Sequence, residues 1–255
     1  MKVKTFSGLA EGKRSRDTLF DGALHCVQHR DGYRFSIDPV LLAHFVRLNT
    51  NERILDLGAG CGVVGLILLY RFSSSISSIT AFELQKGLAG LARENIDLNQ
   101  FQNQMEVVEG DLRDIKKNLK PESFSTILCN PPFYSVGSGR QSKNKEAEIA
   151  RHQVNCTLPE VVSAAAIAVK NRGKVVMVYP ANGLTTLLLS LEQQRLTAKR
   201  MQLVYSYPDP STGARLVLIE AVKNGGEGVE IMAPFYIYDK KDGAYTEEMQ
   251  QFYDP

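Results

Sequence analysis

Four consecutive residues, Asn130, Pro131, Pro132 and Phe133, are suited to holding a flat amino group for reaction. They follow an apolar run at positions 124–129 that has the length and composition of a buried parallel strand. The two prolines lack amide donors and fix φ, so strand pairing ends there and the chain stays stiff and extended. The side-chain oxygen of Asn130 and the carbonyl oxygen of Pro131 can accept two amino protons, while the ring of Phe133 can stack on a base. An amine conjugated to a ring is a poor nucleophile, and such acceptors favour the pyramidal nitrogen that it needs in order to react.

Three acidic residues, Asp56, Glu83 and Asp111, each follow a predicted strand. Asp56 opens a glycine-rich stretch that ends at Gly62, where glycines let the backbone approach a ligand and the next helix offers free amides. Asp56 could pair with an ammonium group, and Glu83 could accept hydrogen bonds from both hydroxyls of a ribose. Asp111 could accept from an adenine amino group, with Leu112 as an apolar contact for the ring. Because ligands bind at the carboxyl ends of the strands in open α/β sheets, this series predicts a cofactor that contains a nucleoside.

Two cofactor classes fit these acids. Gly60, Gly62 and Gly65 match the dinucleotide fingerprint, and Glu83 lies near the spacing expected of a ribose-binding acid in an NAD enzyme. S-adenosylmethionine enzymes place an acid on the ribose in the same way. Hydride transfer needs no group such as Asn130 beside the fourth strand, whereas methylation of a conjugated amine does. Structural alternatives are a ligand-free βα turn, a helix-capping glutamate and a strand-ending Asn-Pro-Pro turn.

Strands alternate with amphipathic helices from residue 53 onward and would position these groups. The predicted strands lie at 53–57, 79–82, 105–108, 124–129, 174–178, 201–205 and 215–222, and the predicted helices at 63–72, up to about 99, 158–169 and 184–195. This alternation predicts an α/β fold with a mostly parallel sheet covered on both faces. The last two strands leave no room for a long crossover, so we expect them to form an antiparallel edge pair.

Residues 1–50 are predicted to form a small extension packed on a catalytic domain at 51–255. Positions 1–20 are polar and basic, as in a solvated tail, although such an arm could also contact phosphates. Asp31 and Gly32 predict a hairpin between strands at 24–27 and 34–37. Asp38 before Pro39 predicts a helix that Asp38 caps.

A polar stretch at 134–151 interrupts the alternation directly after Phe133. A loop of this length within a compact domain is usually a lid, a binding loop or disordered. We predict contacts with substrate phosphates from four of its basic residues, Arg140, Lys143, Lys145 and Arg151. Such contacts would make binding depend on salt.

The composition excludes several classes of protein. The 255 residues carry a formal net charge of +2, so nucleic-acid binding would depend on local patches. No apolar run is long enough to cross a bilayer, and no signal peptide is visible. Four cysteines are far apart, and His25, Cys26 and His29 have no second ligand pair, so no metal site is predicted. We expect a cytoplasmic protein, with a monomer favoured.

Taken together, the glycine-rich stretch, Glu83, Asp111 and residues 130–133 resemble class I S-adenosylmethionine-dependent amino-methyltransferases. Positions 32–42 and the C-terminal segment with Tyr245 and Met249 are similar to the bacterial tRNA1(Val) (adenine-37 N6)-methyltransferase family. This resemblance implies a Rossmann-like, seven-stranded sheet and methyl transfer to the exocyclic N6 of adenine 37 in the anticodon loop of tRNA(Val). Ribosomal RNA, DNA or a protein glutamine amide stay open as acceptors, as does a noncatalytic nucleic-acid-binding role.

The resemblance also implies roles for single residues. The implied cofactor-binding residues are Asp56, Gly58, Ala59, Gly60, Gly62, Glu83, Leu84, Asp111, Leu112 and Asn130. The implied catalytic residues are Asn130, Pro131, Pro132 and Phe133, and Arg34 joins the four loop residues as a candidate for substrate binding. Phe133 stands where many relatives have tyrosine, which keeps stacking but removes a hydroxyl.

Overall fold

A nine-stranded sheet forms the centre of the computed structural model, which describes residues 14–30, 36–131 and 156–254. A two-stranded ribbon of β1 (Arg14–Leu19) and β2 (Leu24–His29) precedes it. The sheet strands are β3 (Glu52–Leu57), β4 (Ile76–Glu83), β5 (Met105–Glu109), β6 (Phe124–Cys129), β7 (Val169–Pro180), β8 (Leu196–Tyr205), β9 (Leu216–Lys223), β10 (Glu230–Ile231) and β11 (Phe235–Tyr236).

The sheet confirms the predicted α/β topology. Its long strands have the order β5-β4-β3-β6-β7-β9-β8. All of these neighbours pair in parallel except β9, which is antiparallel to β7 and β8 and forms the predicted edge pair. The two-residue strands β10 and β11 pair in parallel with β8 and were not predicted, because so short a segment carries no periodic pattern.

Helices cover both faces of this sheet. They are α1 (Asp38–Phe45), α2 (Val63–Phe72), α3 (Lys86–Leu98), α4 (Ile115–Asn118), α5 (Leu158–Ala168), α6 (Leu184–Gln193) and α7 (Glu247–Gln251). Successive strand residues enter opposite cores: Ile54 packs with the helices α1 to α3, and Leu55 packs with α5 and α6. Strands buried on both faces explain the nearly continuous apolar runs in the sequence.

The strand register brings the predicted site together. Leu57, the last residue of β3, lies beside Phe82 of β4 and beside Cys129 of β6. The segments that follow these three positions therefore leave the sheet at one edge, where Glu83 and Asn130 are each one residue farther along. This edge is where open α/β sheets bind ligands.

The predicted hairpin around Asp31 and Gly32 stays a prediction because its turn lies outside the described residues, whereas its first strand forms a ribbon that was not predicted. β2 pairs with β1, and the turn between them lies at Phe20–Gly22, where Asp21 has φ 52° and Gly22 has φ 97°. The chain contains two Asp-Gly pairs in this region, and the first one forms this turn rather than Asp31-Gly32. Residues 31–35, including Arg34, lie outside the described residues, and positions 36–37 are not a strand.

The prediction of a polar tail was wrong for its last residues. Alternate residues of β1 are buried, including Ser15 and Asp17. Polar side chains on both faces concealed the period-2 pattern that indicates a strand.

The start of α1 also differs from the prediction. Asp38 is the first helical residue, and the residue at the N-cap position is Ile37, whose side chain makes no capping bond. The backbone N–H of Asp38 donates to Ser36 Oγ at 3.3 Å instead. Pro39 sits in the first turn as expected, because its missing amide donor is not needed there.

The N-terminal elements share the main core with the rest of the chain. α1 packs on α2 and on β7, and the ribbon strand β2 packs on α3. The division into segments 1–50 and 51–255 stays a prediction. None of the helices in the described ranges is long and apolar enough for a membrane span.

Candidate active site

A cavity of about 200 Å³ opens at the carboxyl edge of the sheet. It is lined by residues from β3, β4 and β6 and from the segments that follow them. Nine of the predicted site residues line it: Asp56, Gly58, Ala59, Gly60, Glu83, Leu84, Leu112, Asn130 and Pro131.

Asp56 is a buried carboxyl group at the end of β3. It is 1% exposed, and its Oδ2 atom has no hydrogen-bond partner among the described residues. The pKa of Asp56 is raised to about 7, mainly by burial; the amide of Gly65 opposes this shift, and the neighbouring Glu83 carboxyl adds to it. A cation that binds beside this buried carboxyl group would stabilise its ionised form and lower its pKa.

The glycine turn (residues 58–62) connects β3 to α2. Its three glycines have positive φ, at 77° for Gly58, 58° for Gly60 and 83° for Gly62. The amides of Gly58 and Ala59 donate to Phe82 O at 2.9 and 3.1 Å, which joins the turn to the end of β4. A Cβ atom at Gly58 would meet nothing within 4 Å, so the turn leaves open space there. Gly62 faces Met105 and Ala92 and is not among the residues that line the cavity.

Glu83 is buried at the end of β4 and holds the same turn. Its Oε2 accepts from the amide of Gly60 at 2.8 Å, and its Oε1 accepts from the amide of Gln85 at 2.8 Å. Burial raises the pKa of Glu83, and these amides oppose that shift. Each carboxylate oxygen has capacity for a second hydrogen bond, so the ribose hydroxyls of a nucleoside can still be accepted.

Asp111 lies in a different environment from Asp56 and Glu83. Its Oδ1 accepts from the Arg113 backbone amide at 2.9 Å and so caps a short 3-10 helix, Leu112–Asp114. It also forms an ion pair with the Arg113 guanidinium, which lowers the pKa of the Asp111 carboxyl. Gly110 and Leu112 line the cavity, but Asp111 does not. A bond from Asp111 to adenine therefore stays a prediction and requires a competing donor to replace Arg113.

Asn130 and Pro131 directly follow β6 and line the cavity. β6 and the strand of Glu83, β4, lie on opposite sides of β3. Asn130 is half-buried and Pro131 is buried. The preceding Cys129 donates its thiol to Leu57 O at 3.5 Å, which fixes this strand end against the end of β3. Pro132 and Phe133 lie outside the described residues, as do Arg140, Lys143, Lys145 and Arg151.

The cavity also includes residues that the sequence did not assign to it. Pro39 comes from the first turn of α1, whereas Cys156 and Val161 come from the segment around the start of α5. The Asp-Pro pair at 38–39 indicated a helix start but not its position in space. Cys156 carried no local signal.

No cluster of metal-ligating side chains occurs in the described parts of the chain.

Comparison with known proteins places this geometry in a family. The family model "Methyltransferase small domain" matches residues 37–180. Proteins named tRNA1(Val) (adenine(37)-N6)-methyltransferase are similar to the chain. The one from Bacteroides thetaiotaomicron is 28% identical over 74% of this chain and 77% of its own length. The one from Shewanella halifaxensis is 26% identical over 87% and 91%.

Solved structures share the fold. A predicted O-methyltransferase from Agrobacterium tumefaciens has a TM-score of 0.67 at 21% identity, covering 84% of this chain and 94% of that one. The P. horikoshii protein TYW2, solved with MeSAdo, has a TM-score of 0.58 at 14% identity, covering 85% and 74%. These likenesses confirm the class I methyltransferase fold. The family match covers more than half of the chain, and the protein therefore belongs to the methyltransferase small domain family.

Proposed function

We propose that the protein transfers a methyl group from S-adenosylmethionine to the N6 atom of an adenine in tRNA, with adenine 37 of tRNA1(Val) as the first candidate. The similar proteins named for this activity support the choice of acceptor. A tRNA substrate also supports a cytoplasmic location. We keep the monomer as a prediction.

One observation carries the proposal: acceptors for an amine and a buried carboxyl group that suits a cation open on the same cavity. Asn130 and Pro131 line one side of it, and Asp56 and Glu83 line another. The pairing of β3 with both β4 and β6 sets this arrangement. A methyl donor and an amine can then meet with the orientation that in-line attack needs, which is a large part of catalysis in such transfers.

The residues present fit S-adenosylmethionine. The unpartnered Oδ2 of Asp56 suits the ammonium group of the methionine part, and Glu83 suits the ribose. Leu84 and Leu112 offer apolar surface for the adenine. When bound, the cofactor supplies a methyl group on a sulfonium, which carries a positive charge.

At the acceptor, Asn130 Oδ1 and the Pro131 carbonyl accept hydrogen bonds from the two N–H groups of the exocyclic amine, and the nitrogen loses one of these protons to water once it carries the methyl group. Neither oxygen changes its protonation state near neutral pH, so these two hydrogen bonds do not depend on the ionisation of a side chain. Phe133 stacks on the flipped base, a contact worth ~1–3 kcal/mol. Extraction of the adenine from its stack exposes the nitrogen to the cavity.

Methyl transfer from labelled S-adenosylmethionine to unmodified tRNA1(Val) transcript tests this function. We expect label in the wild-type transcript and none in a transcript with guanine at position 37. Parallel reactions contain ribosomal RNA, duplex DNA and a release-factor protein with a glutamine acceptor. Label in one of these and not in tRNA would overturn the choice of substrate, and no label in any of them would favour a noncatalytic binding protein.

A further inference from the structure

We propose that Asn95 positions the glycine turn for cofactor binding by fixing it against the N-terminal ribbon. This inference rests on the proposed function, because the affinity that Asn95 would control is that for S-adenosylmethionine. Asn95 lies on the buried face of α3 and is completely shielded from solvent. It does not line the cavity, so it would act through the turn as a positioning residue.

The amide group of Asn95 connects three parts of the chain. Its Oδ1 accepts from the backbone amide of Val27 in β2 at 2.6 Å. Its Nδ2 donates to the Val27 carbonyl at 3.0 Å and to the Cys61 carbonyl in the glycine turn, also at 3.0 Å. Both protons of Nδ2 are therefore used, one on the ribbon and one on the turn.

Asn99, the C-cap residue of α3, makes the same pair of bonds to the ribbon four residues farther along the chain. Its Oδ1 accepts from the His25 amide at 2.9 Å, and its Nδ2 donates to the His25 carbonyl at 2.7 Å. Four helical residues rise about 6 Å, close to the span of two strand residues, about 6.8 Å, so Asn95 and Asn99 meet alternate residues of β2. The two asparagines differ in the second acceptor of the Nδ2 group. For Asn99 that acceptor is the backbone carbonyl of Asn95, one turn earlier in the helix, and not the glycine turn.

The Cys61 carbonyl is the atom through which Asn95 contacts the turn. Cys61 lines the cavity, and the preceding residue, Gly60, donates its amide to Glu83. The turn is therefore held on one side by an acid at the cavity and on the other side by Asn95. The Cys26 and Cys61 sulfurs also lie 3.8 Å apart, so ribbon and turn are in direct contact at this point. A ligand that touches the turn gains affinity when the turn is already fixed in its bound shape.

Titration of the full-length protein with S-adenosylhomocysteine tests the proposal, with Asn99→Ala as the matched control. Asn95→Ala and Asn99→Ala each remove two bonds to the ribbon backbone, but only Asn95→Ala releases the Cys61 carbonyl, together with a longer 3.7 Å contact to Cys26 Sγ. We expect the Kd to rise about tenfold in Asn95→Ala, or about 1.4 kcal/mol, and by less than about twofold in Asn99→Ala. In steady-state transfer, Asn95→Ala should raise the KM for the cofactor and leave kcat near the wild-type value once the cofactor saturates.

The outcomes separate the two proposals. Wild-type protein that does not bind S-adenosylhomocysteine would overturn the proposed function and this inference with it. Normal wild-type binding with an unchanged Kd in Asn95→Ala, or with an equal loss in both variants, would overturn the inference alone. Asn95→Ser provides a milder second change. If both Asn95 variants fail to fold while Asn99→Ala folds, Asn95 serves folding and the proposal is wrong.

Discussion

At the scale of single residues, the proposed function predicts that the charge state of Asp56 controls cofactor binding. The pKa of this buried carboxyl is about 7, and the ionised form is the one that pairs with an ammonium group. The free protein binds the proton below that pH, and the complex releases it, so affinity should increase as the pH rises through 7. We expect the Kd for S-adenosylhomocysteine to be about tenfold higher at pH 6 than at pH 8 in calorimetry. In Asp56→Asn the affinity should be low throughout, and a remaining pH dependence would assign the titration to another group.

We expect Asn130 to act on the acceptor amine, separately from Asp56. Asn130→Ala removes one acceptor for the amine and leaves the glycine turn and Glu83 in place. We expect transfer to fall by roughly 10²–10³-fold, the loss typical for one preorganised hydrogen-bonding group. Single-turnover methylation measures the transfer rate, and titration with S-adenosylhomocysteine is the control. A similar loss of cofactor affinity would mean that the residue only supports the structure.

At the scale of elements, the start of α5 is fixed by a capping box. The Thr157 hydroxyl accepts from the Glu160 amide at 3.4 Å, and Glu160 accepts from the Thr157 amide at 2.7 Å. We expect Thr157→Ala to lower the free energy of unfolding by about 1 kcal/mol, because the Glu160 amide loses its acceptor and the hydroxyl loses its 2.9 Å bond to Glu160 Oε2. Urea denaturation gives the value. Thr157→Ser keeps the hydroxyl and should restore most of the stability, whereas an equal loss in Thr157→Ser would point to packing of the methyl group.

Element boundaries show where sequence patterns suffice. The long sheet strands were recognised from their largely apolar composition, whereas the two-residue strands β10 and β11 were not. β1 was not recognised, because polar residues such as Asp17 are buried in it. The turn between β1 and β2 lies at Asp21-Gly22 and was not predicted, since a turn signal does not identify which neighbouring segments pair across it.

At the scale of the whole molecule, the small net charge means that RNA binding has to come from local groups. We expect the affinity for tRNA to fall as salt increases, and a variant with glutamine at Arg140, Lys143, Lys145 and Arg151 should show a shallower dependence. The logarithmic slope should decrease by roughly 0.7–0.9 for each phosphate that no longer has a cationic partner. Filter binding at several salt concentrations measures this slope.

Lys170→Gln is the control, because Lys170 lies near the amino end of β7, away from the site edge. An unchanged slope in the fourfold variant would exclude the loop as the phosphate-binding segment.

The sequence by itself determined the chemistry of the site and the class of fold. Asp56, Glu83 and Asn130 each lie at or just after the end of a strand that is visible locally, and parallel strands bring their carboxyl ends to one edge. Only the tertiary structure decided which groups share the cavity. Asp111 is held by Arg113 and does not line it, although its position after a strand predicted otherwise.

Tertiary structure also decided the contributions from distant segments. Pro39 and Cys156 line the cavity, and Asn95 connects the ribbon to the glycine turn, yet the local sequence around each residue gives no sign of these roles. Periodicity and capping signals report a residue's neighbours along the chain within a turn or two. They do not report contacts between Asn95 and Val27, which are separated by 68 residues and meet only when α3 packs on β2.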